Sequence, residues 1–144
     1  MSQRYQVRQC RSLEDANFQH LMMEGMLFGE HGLNWKAKPD FREHHTYLAF
    51  DEHGKAVGFS TILRQERSQP YSIHFGFDSG GHRKPKLVKK LAKSAIFDAR
   101  EAGVKEIFAV VNKEQLHIRN GLERLGFKVH QTFDKTVHYK LTVK

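Results

Sequence analysis

The sequence predicts an α/β protein with a mixed central sheet flanked by helices, formed by all 144 residues as a single domain. Three observations lead to this prediction. Segments with the twofold alternation typical of strands occur between segments with a helical repeat of apolar residues. Residues 71–111 have the pattern strand–helix–strand, which predicts a parallel pair of strands. No stretch rich in Pro, Gly or Ser divides the chain, whose length is ordinary for one domain.

The first predicted elements are a strand and a helix. Residues 5–10, "YQVRQC", alternate as a short strand does. In the helix that follows, Ser12 is the expected N-cap, with acidic residues in the first turn, where the helix dipole favours negative charge. We expect Gly29 and Gly32 to end this helix. Residues 33–45 are predicted to form a loop with room for a short helix.

Three strands are predicted next, and the third contains a glycine. Because a glycine inside a strand indicates a bulge or a close backbone approach, Gly76 predicts one of the two. The three strands are predicted at residues 46–50, 55–63 and 71–77.

The clearest helix is predicted at residues 85–101. Pro85 suits a first helical position, apolar residues recur along one face, and Gly103 follows the end. The next strand, residues 105–111, is apolar at most positions, which predicts burial on both faces. The remaining predicted elements are a helix at residues 113–125 and a terminal hairpin with strands at 127–133 and 136–143. The complete predicted order is therefore β-α-β-β-β-α-β-α-β-β.

The composition indicates what this domain could bind. Lys and Arg number 24 against 16 Asp and Glu, a net charge of +8, which favours a polyanionic partner such as nucleic acid or a phosphate-rich ligand. The single cysteine, Cys10, excludes an internal disulfide and predicts a reducing, cytoplasmic setting. No apolar run approaches the length needed to cross a membrane. The adjacent His44 and His45 would point to opposite faces of a strand, so we expect no metal site.

The segment "GGHRKPKLVKK", residues 80–90, has the composition of an anion site. A strand, a glycine turn and a helix N-terminus present free N–H groups to a phosphate. Gly80 and Gly81 would permit close approach, and basic side chains would add attraction. A solvated basic helix end would have the same composition, so both interpretations stay open.

The order of elements, together with Asn112 after a buried strand and "LERLGF" at residues 122–127, resembles the GNAT superfamily of acetyl-CoA-dependent N-acetyltransferases. "YQVRQCRSLED" is also similar to the opening strand and helix cap of that family. The resemblance implies acetyl-CoA as cofactor, an amine acceptor, and the cofactor pyrophosphate at the start of the helix at residues 85–101. The cofactor-binding residues that it implies are Phe75, Gly76, Phe77, Gly80, Gly81, Arg83, Lys86, Lys89, Asn112 and Gln115. For Asn112 and Gln115, helix capping is the alternative.

Some positions depart from the family pattern. Lys86 and Val88 stand where the family's pyrophosphate loop has glycines, and Pro85 removes an N–H donor. Leu122 stands where many members have a Tyr that protonates the departing thiolate.

Three side chains are candidates for acid–base chemistry. His74 has a suitable pKa for a general base, and Glu66 is a second candidate base. Tyr139 could replace the missing Tyr as the proton donor. The alternatives are a structural or surface role for His74 and a packing role for Tyr139.

Two further classes of function stay open. One is a catalytically silent protein of this fold with a binding or assembly role and protein partners. More loosely, the chain is similar to GNAT-like proteins of short-tailed phages, some of them internal virion proteins, which would place it in the host cytoplasm or the virion. The other class is a nucleic-acid-binding protein, although the sequence has no RNP-like aromatic motif or recognition-helix signature.

Overall fold

The computed structural model describes residues 4–25, 44–64, 66–78 and 85–143. Most of the predicted loop at residues 33–45, the glycines expected to end the first helix, and Gly80, Gly81 and Arg83 lie outside the described residues. The described elements, in chain order, are β1 (Gln6–Cys10), α1 (Ala16–Gly25), β2 (His45–Phe50), β3 (Ala56–Leu63), β4 (Tyr71–Phe77), α2 (Pro85–Glu101), β5 (Glu106–Asn112), α3 (Leu116–Arg124), β6 (Lys128–Thr132) and β7 (Thr136–Thr142).

The strands form one mixed sheet in the order β1-β2-β3-β4-β5-β7-β6. Neighbouring strands are antiparallel except for β4 and β5, which are parallel and are joined through α2. The predicted fold class and the predicted parallel pair are therefore confirmed. None of the helices in the described residues has the length and apolar character needed to cross a membrane.

The helices cover the sheet from two sides. α2 and α3 pack on one face, where their apolar residues form a large core with β2, β3, β4, β5 and β7. α1 packs on the other face, against β3 and β4, and encloses a smaller core that includes Phe18, Leu21 and Phe59. On β5 the side chains facing α2 and α3 are buried, while Phe108 and Val110 on the opposite face are only half-buried. Full burial of β5 on both faces, as the sequence predicted, is not observed.

The start of α1 differs from the prediction. Asp15 is the residue that caps it, because its Oδ1 accepts hydrogen bonds from the backbone N–H of Asn17 (2.8 Å) and Phe18 (3.2 Å). Ser12 instead closes a turn before the helix, and its Oγ accepts from the N–H of Glu14 at 3.1 Å. The prediction of Ser12 as N-cap was therefore wrong, since the chain makes this turn before helical geometry begins.

Helix α2 has the predicted bounds, and Gly103 follows it at φ +91, a conformation that favours glycine. Helix α3 begins three residues later than predicted. A turn precedes it, in which the N–H of Gln115 donates to the carbonyl of Asn112 at 3.0 Å. At the sheet edge, β6 is exposed along its length, and a register shift interrupts its pairing with β7 between Val129 and Gln131.

Two glycines permit close packing. A Cβ on Gly76 would overlap the ring of Phe59, while the pairing of β3 with β4 is regular. Of the two features that Gly76 predicted, the structure has the close approach and not a bulge in this pairing. A Cβ on Gly121 would lie 2.8 Å from Cγ1 of Val88 and 3.2 Å from the carbonyl oxygen of Pro85. Gly121 therefore allows α3 to pack directly against the first turn of α2.

We predict that Gly121→Ala destabilises the protein. Overpacking costs about 1–3 kcal/mol, and here it opposes the roughly 1 kcal/mol that Ala gains over Gly within a helix. Urea unfolding would measure the loss, with Asn120→Ala as the control because Asn120 is exposed on the same helix. Unchanged or increased stability of Gly121→Ala would show that α3 moves away from α2 at little cost.

Candidate functional site

The parallel strands β4 and β5 separate soon after they begin. Their register pairs only Tyr71 with Ile107 and Ser72 with Phe108. β4 continues to Phe77, and its other edge stays paired with β3 throughout. Within the described residues, the edge of β4 that faces β5 therefore has no strand partner after Ser72. Backbone N–H and C=O groups along such an edge can hydrogen-bond an extended ligand as a further strand would.

The opening between these strands lies beside the starts of two helices. The ring of His117, in the first turn of α3, lies 6.5 Å from the ring of Phe77 at the end of β4. The contact of Gly121 with Pro85 brings the start of α2 to the same place. Helix N-termini carry partial positive charge, so this end of the sheet favours an anion.

The first turn of α2 adds cationic side chains to the positive charge of the helix starts. It contains no acidic residue, and Lys86 is exposed while Lys89 is half-buried. Both lysines therefore reach solvent at a helix start that already attracts negative charge. Pro85 contributes no N–H, as the sequence indicated.

The aromatic residues at the end of β4 point away from the opening. Phe75 and Phe77 are fully buried in the core under α2 and α3, with their rings stacked at 6.3 Å. Only the backbone of this part of β4 is left to contact a ligand. This is the kind of contact that the family resemblance implies for Phe75, Gly76 and Phe77.

Asn112 and Gln115 lie at the end of β5 and the start of α3. Gln115 occupies the N-cap position of α3, but its side chain makes no capping hydrogen bond. Its Oε1 is buried, and it has no hydrogen-bond partner among the described residues. Asn112 pairs with Thr136 and lines a cavity with Lys113, Glu114, Asp134 and Lys135. The capping alternative therefore does not account for the side chain of Gln115.

The candidate base His74 lies on the α1 face of the sheet. Its side chain is 2% exposed, and its Nε2 is 2.8 Å from the hydroxyl of Ser72. It pairs in register with Thr61 on β3. His74 is two residues from Gly76, so it stands on the part of β4 that borders the opening.

The second candidate base lies elsewhere. Glu66 is exposed in the turn before β4, where its carbonyl accepts from the N–H of Gln69 at 3.0 Å. Glu66 therefore lies outside β4, in the turn that precedes the strand on which His74 is buried.

Tyr139 is buried beneath α3, where its hydroxyl joins two charged side chains. It donates to Oε2 of Glu123 at 2.7 Å and accepts from Nε of Arg119 at 3.0 Å. Burial raises the pKa of Tyr139, and the hydrogen bond from Arg119 opposes that rise. The network fixes α3 to β7. A role for Tyr139 as a proton donor stays a prediction, and its proton is held by Glu123 in this structure.

Sequence reasoning did not find the polar side chains near His74. Ser72, Thr61 and Thr46 lie on the same face of three neighbouring strands. In the sequence these residues are visible as polar positions within otherwise apolar strands. Their proximity could not be predicted, because it depends on the register of the three strands.

Several solved structures with the same architecture are named as acetyltransferases. An acetyltransferase of the GNAT family from Staphylococcus aureus superposes with a TM-score of 0.67 at 15% identity, covering 98% of this chain and 100% of that one. The GNAT domain of S. lividans PAT superposes with a TM-score of 0.71 at 14% identity, covering 96% and 90%. This chain has the GNAT fold.

A third structure of the same fold is a complex with AcCoA. It is a phosphinothricin acetyltransferase from Sinorhizobium meliloti in complex with AcCoA, with a TM-score of 0.66, 14% identity and coverage of 96% of this chain and 88% of that one. No protein-family model matches the sequence, and no curated protein matches it. At these identities the likeness concerns the fold.

We predict that Tyr139→Phe lowers stability by about 1 kcal/mol, because one hydroxyl joins two partners there. The pKa of Tyr139 is raised in the folded state, so the unfolded chain loses this proton first as the pH rises. Wild-type stability should therefore fall above about pH 10, and Tyr139→Phe should lose less over that interval. Urea unfolding at neutral and alkaline pH tests this. If the stabilities of the wild type and of Tyr139→Phe fell equally with rising pH, the prediction would be wrong. The loss would then come from groups that both proteins share, such as Tyr5 and Tyr47.

Proposed function

We propose that this protein is an N-acetyltransferase that transfers the acetyl group of acetyl-CoA to an amine. The observation that carries the proposal is the separation of β4 from β5, which among the described residues pair only at Tyr71 and Ser72 of β4, beside the start of α2. The GNAT fold supports it, as does the AcCoA complex of the S. meliloti enzyme.

The chemistry of this opening fits the parts of acetyl-CoA. The amides of a pantetheine arm match the backbone of β4 beyond Ser72, where the described residues show no pairing with β5. A pyrophosphate matches the α2 start with Lys86 and Lys89. Gly80, Gly81 and Arg83, in the preceding segment, would complete this part of the site. Asn112 and Gln115 would bind the arm from the β5 side. When bound, acetyl-CoA supplies an acetyl group activated as a thioester.

The residues of the chain would align the reactants and move a proton. The α2 face of β4 is filled by Phe75 and Phe77, so we place the amine on the other face, where α1 covers the buried His74. His74 would accept the proton that the amine loses as it attacks the thioester carbonyl. Backbone N–H groups of residues 75–77 would hold the carbonyl oxygen, and holding both reactants in place lowers the barrier further.

We predict that replacing Lys86 and Lys89 by Ala weakens acetyl-CoA binding at least about tenfold, since hydrogen bonds to charged groups contribute about 1.5–3 kcal/mol each. Isothermal titration calorimetry measures the change. Lys93→Ala is the matched control, because Lys93 is exposed on the same helix beyond its first turn. If the double variant and the control bound acetyl-CoA with equal affinity, the start of α2 would not be part of the binding site.

We predict that His74→Gln lowers kcat by about a hundredfold or more, since a general base usually accelerates a reaction by at least this factor. The affinity for acetyl-CoA should be unchanged. Glu66→Gln should leave kcat close to that of the wild type, because Glu66 is exposed in the turn before β4. A spectrophotometric assay of released CoA thiol with a panel of amines measures both. The reverse pattern would make Glu66 the base.

Binding or assembly without catalysis is the second candidate. Two observations favour it: Val88, at a family glycine position, is fixed in the core, and so is Leu122, at the position of the missing Tyr. Wild-type protein that binds neither acetyl-CoA nor CoA would exclude the enzyme and favour this candidate, including the virion-protein hypothesis. The structural relatives above give no support to nucleic-acid binding, which a steep salt dependence would reveal.

A further inference from the structure

The exposed side of helix α2 carries basic side chains along most of its length. Lys86, Lys90, Lys93 and Arg100 are exposed, and together with Phe97 they follow one another at intervals of three or four residues. Residues with this spacing lie on one side of a helix. Lys86, in the first turn, belongs to the proposed cofactor site. We call the other four residues, Lys90, Lys93, Phe97 and Arg100, the α2 basic face.

The charge of the α2 basic face is only weakly balanced by the acidic residues of the same helix. Oδ2 of Asp98 lies 3.0 Å from Nδ1 of His45, so Asp98 is directed toward the sheet. Glu101 lies 3.7 Å from Arg100, and both side chains are exposed, so this ion pair is weak. Within the part of the chain that the structure describes, neither lysine of the face makes an ion pair. The face therefore favours an anionic partner.

A cavity of about 360 Å³ lies beside this face, between α2 and β2. It is lined by Tyr47, Lys90, Lys93, Ser94 and Phe97. Phe97 is 59% exposed, and Tyr47 is half-buried. The guanidinium carbon of Arg100 lies 5.2 Å from the centre of the Phe97 ring, so a cation already stacks on this ring. A flat ring in the cavity would contact two aromatic side chains and lie beside two ammonium groups.

A partner that fits this face must supply both negative charge and flat rings. Single-stranded nucleic acid supplies both, because each nucleotide has a phosphate and a base that stacks on aromatic side chains. An acidic peptide supplies carboxylates without a ring at each step. A second copy of this chain has the same net charge of +8, which opposes association. Charge and ring chemistry together therefore favour nucleic acid over these partners.

The cavity is separate from the opening between β4 and β5. Tyr47 lies on β2, and β3 separates β2 from β4. Since neighbouring strands are about 4.8 Å apart, the cavity lies roughly 10 Å to the side of β4. Helix α3, which borders the opening, packs against the first turn of α2, where Gly121 meets Pro85 and Val88. A ligand on the α2 basic face would therefore leave the proposed cofactor site accessible.

We propose that the α2 basic face binds single-stranded nucleic acid. A base occupies the cavity between Tyr47 and Phe97, and phosphates lie beside Lys90, Lys93 and Arg100. Because every base can stack on an aromatic ring, this binding has little sequence preference. It is a second activity of the protein and does not depend on acetyl transfer.

Fluorescence anisotropy with a labelled oligothymidylate of about 16 nucleotides tests the proposal. We expect Phe97→Ala to weaken binding about fivefold or more, because it removes the stacking of one base. Lys90→Gln combined with Lys93→Gln should weaken binding and reduce the slope of log K against log salt by about 1.4. Lys105→Gln combined with Lys128→Gln is the matched control, since it removes the same charge from exposed positions outside α2. The control should keep the greater part of the affinity.

Several results would overturn the proposal. A wild type that does not bind the oligonucleotide at about 50 mM salt has no such site. Equal losses in the two double variants would show attraction to the net charge alone, and an unchanged affinity of Phe97→Ala would exclude the base from the cavity. Displacement of the oligonucleotide by polyglutamate of equal charge would assign the face to acidic proteins. Displacement by acetyl-CoA would assign it to the cofactor.

Discussion

Burial of apolar side chains under α2 and α3 holds the two halves of the sheet together where hydrogen bonds do not. β1 to β4 form one antiparallel unit, and β5, β7 and β6 form another. Within the sheet the two units are joined by the pairing of β4 with β5, which covers two residues of each strand. The core beneath the two helices, which includes Phe75, Phe77, Ile107 and Val111, spans the separation. The opening can therefore exist without dividing the protein.

The two faces of the sheet differ in composition and therefore have different roles in the proposed function. The face under α2 and α3 is closed by apolar packing, which fixes where β4 and the start of α2 lie. The face under α1 carries the polar side chains, with His74 among them. In the proposed reaction, one face positions the cofactor and the other handles the acceptor and its proton. The opening between the strands is where the two tasks meet.

The sequence was sufficient for the order of elements and for the parallel pair, because periodicity, glycines and prolines are local signals. Pro85 and Gly103 gave the bounds of α2 correctly. The N-cap of α1 was missed because Ser12 and Asp15 are both good capping residues. Which of them caps the helix depends on the turn between them, which the sequence did not predict. The half-buried face of β5 was missed because covering it depends on distant parts of the chain.

For the candidate site, the sequence indicated the residue types but not their separation. Glu66 and His74 are close in sequence, yet Glu66 is exposed in the turn before β4 and His74 is buried in the middle of that strand. Tyr139 was recognisable as a buried aromatic residue, while its bonds to Arg119 and Glu123 depend on how α3 lies on β7. The alignment of Thr46, Thr61 and His74 depends on register across three strands, which no local pattern contains.

The exposed strand β6 has a consequence for the solubility of the folded protein. An edge strand offers free backbone groups to other chains, and such contacts begin aggregation. Here the register shift between Val129 and Gln131 interrupts the regular edge, and Lys128 adds a charge that a stacked copy would have to bury. Strand β3, "AVGFSTIL", has the composition of an aggregation-prone segment, since it carries no charge, but it is buried at every position. Because β2 and β4 pair with both of its edges, β3 becomes available to other molecules only when the sheet itself opens.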